Sequence, residues 1–449
     1  MPVGTNAPNC SSIIKSNHSS LIKKMKKKKT DTLTFTPYQK FIIALLAILQ
    51  FTIILDFIII SPLGDVLMKT LDMTTTQFGL AVSAYAFSAG ASGLLAAGFA
   101  DKFDRKKLLI FFYSGFILGT IFCALATGYW TLLAARIFTG LFGGVIGSVS
   151  LAIVTDLFVI EQRGRVMGFI QMAFASSQIL GIPLGLYCAD MWGWHSSFLM
   201  IAGLGILVLI GVIIKMQPVD KHLGLQEDKN AFQHLWHTVS NKKYQVGFAA
   251  IALLSVGGFM LQPFGSAFLV NNIGIAQEDL KMVYFFTGLS VLFIMPLVGK
   301  LSDKVSKVRL FAAGSFIAIV TIIFYTNMDH TPLWEVVIIN MIMFMGVMSR
   351  MIPATTLNTG IPEMKDRGAY MAITSSLQQI AGGIAAVFAG FIVHQETKTS
   401  PLEHYDILGY IIAVVTICSI FLVARVDKLV KTKTKSEAAP VASDAIMEH

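Results

Sequence analysis

Twelve apolar runs, each about as long as a bilayer is thick, leave this chain few ways to fold. They cover residues 41–64, 77–99, 108–127, 130–157, 166–189, 196–215, 246–270, 281–299, 309–327, 334–358, 369–393 and 406–425. A hydrocarbon interior offers no water to backbone amides, so a segment that crosses it must satisfy them internally. Runs of about 20 apolar residues do so as helices. The 449 residues are 55% hydrophobic and 14% charged, too little polar surface for a soluble protein of this length. The expectation is an all-α membrane protein with twelve transmembrane helices.

The chain also repeats itself once. Ser61-Pro62-Leu63-Gly64 returns as Gln262-Pro263-Phe264-Gly265, an offset of 201 (262 − 61). Asp101, near the end of the second run, returns as Asp303 near the end of the eighth, an offset of 202 (303 − 101). Arg163-Gly164 with Met167 returns as Arg367-Gly368 with Met371, an offset of 204 (367 − 163). Three unrelated patterns at nearly one spacing point to two pseudo-symmetric six-helix bundles, over 41–215 and 246–425. A polar linker at 216–245 joins them, and tails at 1–40 and 426–449 flank them. Two like halves in a bilayer are the mark of secondary transporters, whose sites lie where the halves meet.

Charge placement sets orientation. Of the 35 Lys and Arg, 30 fall on the side that holds both tails and the linker. Only Lys69, Lys281 and Lys398 fall opposite, and Arg136 and Arg350 lie inside runs. This asymmetry predicts both termini in the cytoplasm of a cell (inner) membrane. It also explains the net charge of +9 without nucleic acid. The cluster Lys23-Lys24-Met25-Lys26-Lys27-Lys28-Lys29 reads as part of that topology signal, with anionic lipid as the lesser alternative. Met25 is a second candidate start. The four cysteines lack metal spacing, and His234 with His237 reads as part of an amphipathic linker helix. Neither metal nor cofactor is expected.

Asp56 is the sharpest chemical signal, alone among Phe51 to Ile60 in the first run. A carboxylate at mid-span costs about 2.5–3.5 kcal/mol, so it is rarely idle. Proton uptake removes that cost, and loading a proton on one side for release on the other is what coupling requires. Arg136 is its natural partner. Asp56 lies eight residues before Gly64, and Arg136 six residues after Trp130. At 1.5 Å per residue both sit about 9–12 Å below the same face. Arg136 is expected to hold Asp56 ionised in one state and release it in another; a brace on backbone carbonyls is the plainer alternative.

The loop Gly98-Phe99-Ala100-Asp101-Lys102-Phe103-Asp104-Arg105-Lys106-Lys107 resembles the signature loop of the major facilitator superfamily. Arg136-Ile137-Phe138-Thr139-Gly140 is similar to that family's arginine motif in its fourth span. Gly181-Ile182-Pro183-Leu184-Gly185 is similar to the glycine–proline motif of its antiporters, and Leu55-Asp56 followed by Pro62 to the twelve-span drug:proton antiporters. The resemblance implies the major facilitator fold, with the first and fourth spans lining a central cavity. It implies that Asp101 and Arg105, with Asp156 nearby, latch the inner gate, and that Asp303 and Lys307 form a weaker copy. Gly181, Pro183 and Gly185 allow a bend and close helix contact, or serve ordinary packing.

Polar and aromatic residues inside the runs are the substrate candidates: Tyr85, Gln171, Gln178, Phe259, Gln262, Asn340 and Arg350. Arg350 either meets an anionic substrate group or pairs with backbone beside Pro353. The leading function is proton-coupled efflux of small amphipathic compounds or drugs by a monomer. A sugar or metabolite efflux permease is the alternative. A membrane enzyme would need a catalytic cluster and long loops, and neither is visible. No Gly-x-x-x-x-Gly-Lys-Ser/Thr loop occurs for an ATP-driven pump.

Overall fold

The computed structural model describes residues 35–99, 103–220, 231–363 and 366–444. Among the described residues, twelve helices are long and apolar enough to cross a membrane. They are α1 (Pro37–Ile59), α2 (Thr75–Ala96), α3 (Arg105–Ala124), α4 (Tyr129–Leu157), α5 (Arg165–Trp192), α6 (His195–Lys215), α7 (Lys242–Ile273), α8 (Gln277–Ser302), α9 (Lys307–Thr326), α10 (Leu333–Thr359), α11 (Arg367–Ile392) and α12 (Tyr405–Thr432). Among the described residues the only other pairing of extended backbone is an isolated bridge between His394 and Glu403.

Local chemistry sets the helix ends. Thr36 and Gln39 exchange side-chain and backbone bonds in a capping box, and Pro37 opens α1 with no amide to leave unbonded. Asp104 caps α3 by accepting from the Lys106 amide at 2.9 Å, and also accepts from Val219 N at 3.0 Å, pinning the chain that leaves α6. Arg163 donates to the carbonyls of Phe158 (3.0 Å) and Thr155 (2.7 Å). It thereby satisfies acceptors that the end of α4 leaves open.

Two ends differ from the sequence reading. The first apolar run reaches residue 64, but α1 stops at Ile59, because Pro62 cannot continue the amide ladder; a short helix, Gly64–Thr70, follows. The last run ends at 425, yet its helix continues to Asp444, since the lysines and alanines there favour helix without needing lipid. Among its described residues the linker holds the helix Ala231–Ser240; residues 221–230 and the lysine cluster at 23–29 lie outside the described residues.

An even number of spans puts the start of α1 and the end of α12 on one face, called here the terminal face; the other is the distal face. Three apolar cores fill the molecule. The largest joins both halves near the distal face, with Ile58, Leu63 and Phe78 packed in one cluster with Phe264, Phe268 and Tyr405. Of the other two, one is built from the first half, around Leu109, Phe116 and Val149, and the other chiefly from the second, around Phe248, Phe311 and Tyr370. The halves therefore share a core at the distal face and keep separate cores toward the terminal face. Two helix pairs form the seam. Thr75 and Thr76 of α2 donate to the carbonyls of Val393 (2.7 Å) and Gly390 (2.8 Å) at the end of α11. Gly288 of α8 lies against the backbone of Gln178 and Ile179 in α5.

Candidate functional site

Four helices of the first half converge on one charged centre. Asp56 of α1 and Arg136 of α4 are both fully buried. Arg136 Nη1 donates to Asp56 Oδ2 at 2.9 Å and approaches the Asp56 carbonyl at 3.3 Å. Thr120 of α3 donates to Asp56 Oδ1 at 3.0 Å. The guanidinium carbon lies 4.5 Å from the centroid of the Tyr85 ring on α2, a cation–π contact that desolvation strengthens. Arg136 Nε and Nη2 are buried with no hydrogen-bond partner. The centre is compact because Gly140 lets α4 close on α2: a Cβ there would sit 2.5 Å from the Tyr85 carbonyl oxygen.

The matched depths inferred from the sequence are thus realised as a direct ion pair. The pair sits inside the first bundle, between α1, α3 and α4, rather than on a wall of the seam. Phe57, the next residue, faces the other half. Its ring lies 5.1 Å from Tyr85 and 5.5 Å from Phe259 of α7. An unbroken contact path therefore runs from Arg136 through Tyr85 and Phe57 to Phe259. Phe57, Ser61, Val82, Phe259, Gln262 and Pro263 line a closed crevice at the seam, too narrow to hold a water molecule.

The glycine–proline segment of α5 flanks the charged centre. A widened π turn at Ser177–Gly181 precedes Pro183, the usual setting of a helix irregularity. A Cβ on Gly181 would lie 2.7 Å from Leu55 Cδ1, and one on Gly185 2.7 Å from Ile59 Cδ1. These glycines let α5 pack against α1 on either side of Asp56, and Ser177 donates to the Phe51 carbonyl at 3.2 Å. The segment thus combines an irregular turn with close contact between α5 and α1.

At the terminal face, Arg105 Nε and Asp156 Oδ2 form an ion pair at 3.4 Å within the first half. Asp101 lies outside the described residues, as does the side chain of Asp303. Lys307 opens α9.

The structure gathers Tyr85, Phe259 and Gln262 around Phe57 and disperses the other substrate candidates. Gln178 is buried at the α5–α8 crossing, and Gln171 is exposed on α5. Asn340 accepts from Thr287 at 3.1 Å. Arg350 stands at the break in α10 and donates to Thr416 Oγ1 at 3.1 Å and toward the Val347 carbonyl at 3.5 Å. It pairs with backbone and a hydroxyl rather than with a carboxylate.

The repeat clarifies this dispersal. Asn340 stands where Arg136 does (340 − 136 = 204), Thr287 where Tyr85 does (287 − 85 = 202), and Gly257 where Asp56 does (257 − 56 = 201). The second half thus carries a neutral hydrogen bond where the first carries an ion pair. Thr120 and Phe57 escaped sequence reasoning; the only signals were a hydroxyl in an apolar run and adjacency to Asp56.

A family model described as Major Facilitator Superfamily matches residues 46–386 and 249–446. The chain is 25% identical over 382 residues to "Uncharacterized MFS-type transporter YbcL" of Bacillus subtilis, covering 84% of this chain and 95% of that one. It is 22% identical over 343 residues to "Probable sugar efflux transporter" of Helicobacter acinonychis, covering 76% and 85%. A protein of the same name from Helicobacter pylori strain P12 is 24% identical over 376 residues, covering 81% and 92%. Among solved structures, the nucleoside transporter NupG superposes with a TM-score of 0.70 at 12% identity, covering 86% of this chain and 98% of that one. A bacterial homologue of the human lysosomal transporter Spinster, inward-facing and unoccupied, superposes with a TM-score of 0.65 at 14% identity, covering 88% and 97%.

Proposed function

Since the chain belongs to the major facilitator superfamily, we propose that it exports a small compound in exchange for protons, by rocking its two halves about the seam. The observation that carries this reading is the Asp56–Arg136 pair, wholly buried at 2.9 Å with two guanidinium nitrogens unbonded. A proton on Asp56 would leave the guanidinium without a counter-charge where no water reaches it. Separating such a pair from one side costs about 3–5 kcal/mol. The first half then gains by moving to an arrangement in which Arg136 finds other acceptors. Proton occupancy is thereby linked to conformation, and the Tyr85–Phe57–Phe259 path brings the change to the pocket at the seam.

The basic face is assigned to the cytoplasm, so the distal face is outside and the chain is captured with its outer end shut. Asp56 binds its proton when the outer end opens and gives it up to the cytoplasm as the pair re-forms. Arg105 and Asp156 change partners when the terminal face closes. The crevice is closed in this state; as the seam opens it would take the substrate, with two phenyl rings for its apolar part and Gln262 and Ser61 for a polar one.

A second reading, sugar efflux, draws support from the relatives so named, which match 76% and 81% of the chain. Aromatic rings beside an amide and a hydroxyl also suit a sugar. Both readings use the same coupling centre. They are separated by loading proteoliposomes with sugars or with amphipathic cations and measuring efflux with and without a pH gradient. Gradient-stimulated efflux of one class that is lost in Asp56→Asn supports proton-coupled export of that class. Efflux of both classes at rates blind to the gradient would overturn proton coupling.

A further inference from the structure

The orientation rule disfavours lysine on the distal face, yet three stand there, and each is tied to an aspartate close to the seam. Lys69 Nζ lies 2.7 Å from Asp65 Oδ2, on the same short helix. Lys281 of the second half lies 3.4 Å from Asp190 of the first, and Lys398 of the second 2.7 Å from Asp72 of the first. Asn271 of α7 closes the first tie across the seam. Its Nδ2 donates to Asp65 Oδ1 at 2.6 Å, and its Oδ1 accepts from Lys69 at 3.2 Å.

Between these ties lie the two copies of the Pro-x-Gly repeat, face to face. Ser266 Oγ donates to the Ser61 carbonyl at 2.7 Å. A Cβ on Gly64 would stand 3.1 Å from the Pro263 carbonyl oxygen, and Phe78 meets Phe264 edge-on at 5.9 Å. The Ser61 carbonyl accepts from the Gly64 amide at 3.0 Å within its own turn, and its second lone pair serves Ser266 of the opposite half.

We propose that the repeated motif and the Asp65–Lys69–Asn271 triad are the distal latch, and that the Asp65–Asn271 contact sets how often the distal face opens. Asp65 and Lys69 share a helix and stay together in either state, so Asn271 is the partner that opening removes. Burial ranks the ties. The Asp65 side chain is 5% exposed, against 83% for Asp72. Salt and water weaken the surface pair and spare the buried one. The latch needs no proton coupling and is read without substrate.

The test is a spin-label distance across the distal face, between Thr127→Cys and Asp329→Cys, on full-length protein in nanodiscs with the native cysteines replaced. A lost hydrogen bond to a charged group corresponds to a shift of about tenfold or more in an equilibrium constant. Asn271→Ala and Asp65→Asn should each move the open-to-closed ratio by about that factor toward the longer distance. The swap Asp65→Asn with Asn271→Asp keeps one acid, one amide and Lys69, and should restore the wild-type distribution. Asp72→Asn should change it little. An unchanged distribution in Asn271→Ala, a swap as open as the single variants, or an equal response to Asp72→Asn would overturn the assignment.

Discussion

Replacing Asp56 by asparagine keeps the outline of the side chain and removes its charge, as proton uptake does. In the structure the carboxylate takes Arg136 Nη1 at 2.9 Å and Thr120 Oγ1 at 3.0 Å, while Arg136 Nε and Nη2 find nothing. The amide can still accept from either neighbour, so what is lost is the counter-charge. Leaving one member of a buried pair uncompensated costs about 3–5 kcal/mol. At about 1.4 kcal/mol per factor of ten, that is a bias on the order of 10³ against the distal-closed state. The assay is thermal unfolding in detergent of wild type, Asp56→Asn, Arg136→Gln and the double variant. Each single change should lower stability, and the double change should cost much less than their sum, with a coupling energy of about 3 kcal/mol. Additive losses would refute the reasoning, since the two groups would then not depend on each other.

Acidification should move the wild-type protein toward the distal-open state, because a protonated Asp56 no longer offsets Arg136. Asp56→Asn should be indifferent to pH in the same spin-label measurement, and a retained response would place the sensing group elsewhere. Arg105→Ala should slow turnover more than it weakens substrate binding, as read by transport rate against equilibrium binding; the opposite split would put Arg105 in the cavity. Gly140→Ala drives a methyl against the Tyr85 backbone and should destabilise by about 1–3 kcal/mol, with an unchanged melting temperature counting against that packing. Phe259→Ala should raise the half-saturating substrate concentration in protein that still folds, with some loss of melting temperature from the packing it gives up against Phe57 and Gly382; unaltered transport would remove Phe259 from the pocket.

Depth was legible in this sequence and rotation was not. The apolar runs announced how many spans there are, and the offsets of 201, 202 and 204 how the halves correspond. Counting residues from the span ends placed Asp56 and Arg136 at one level, and the ion pair follows from that. Which side of α1 carries Asp56 could not be read, because lipid and bundle interior are equally apolar and the usual polar–apolar face disappears. Hence Phe57 reaches the seam and Asp56 the interior, although the two are adjacent. Thr120 was hidden for the same reason. Regular helix stops short of Pro62 in α1 and gives way to a tighter turn at Pro263 in α7, whereas the apolar runs continue past both prolines, and nothing in the pattern said that the two sites meet each other.

The most direct measurement is proton-driven export from proteoliposomes that hold purified wild type or Asp56→Asn, followed with an internal pH indicator alongside substrate release. Wild type should move substrate against its gradient with protons moving in the opposite sense, and the variant should support exchange of substrate across the membrane without proton movement. Uphill export with undiminished proton flux in Asp56→Asn would contradict the account.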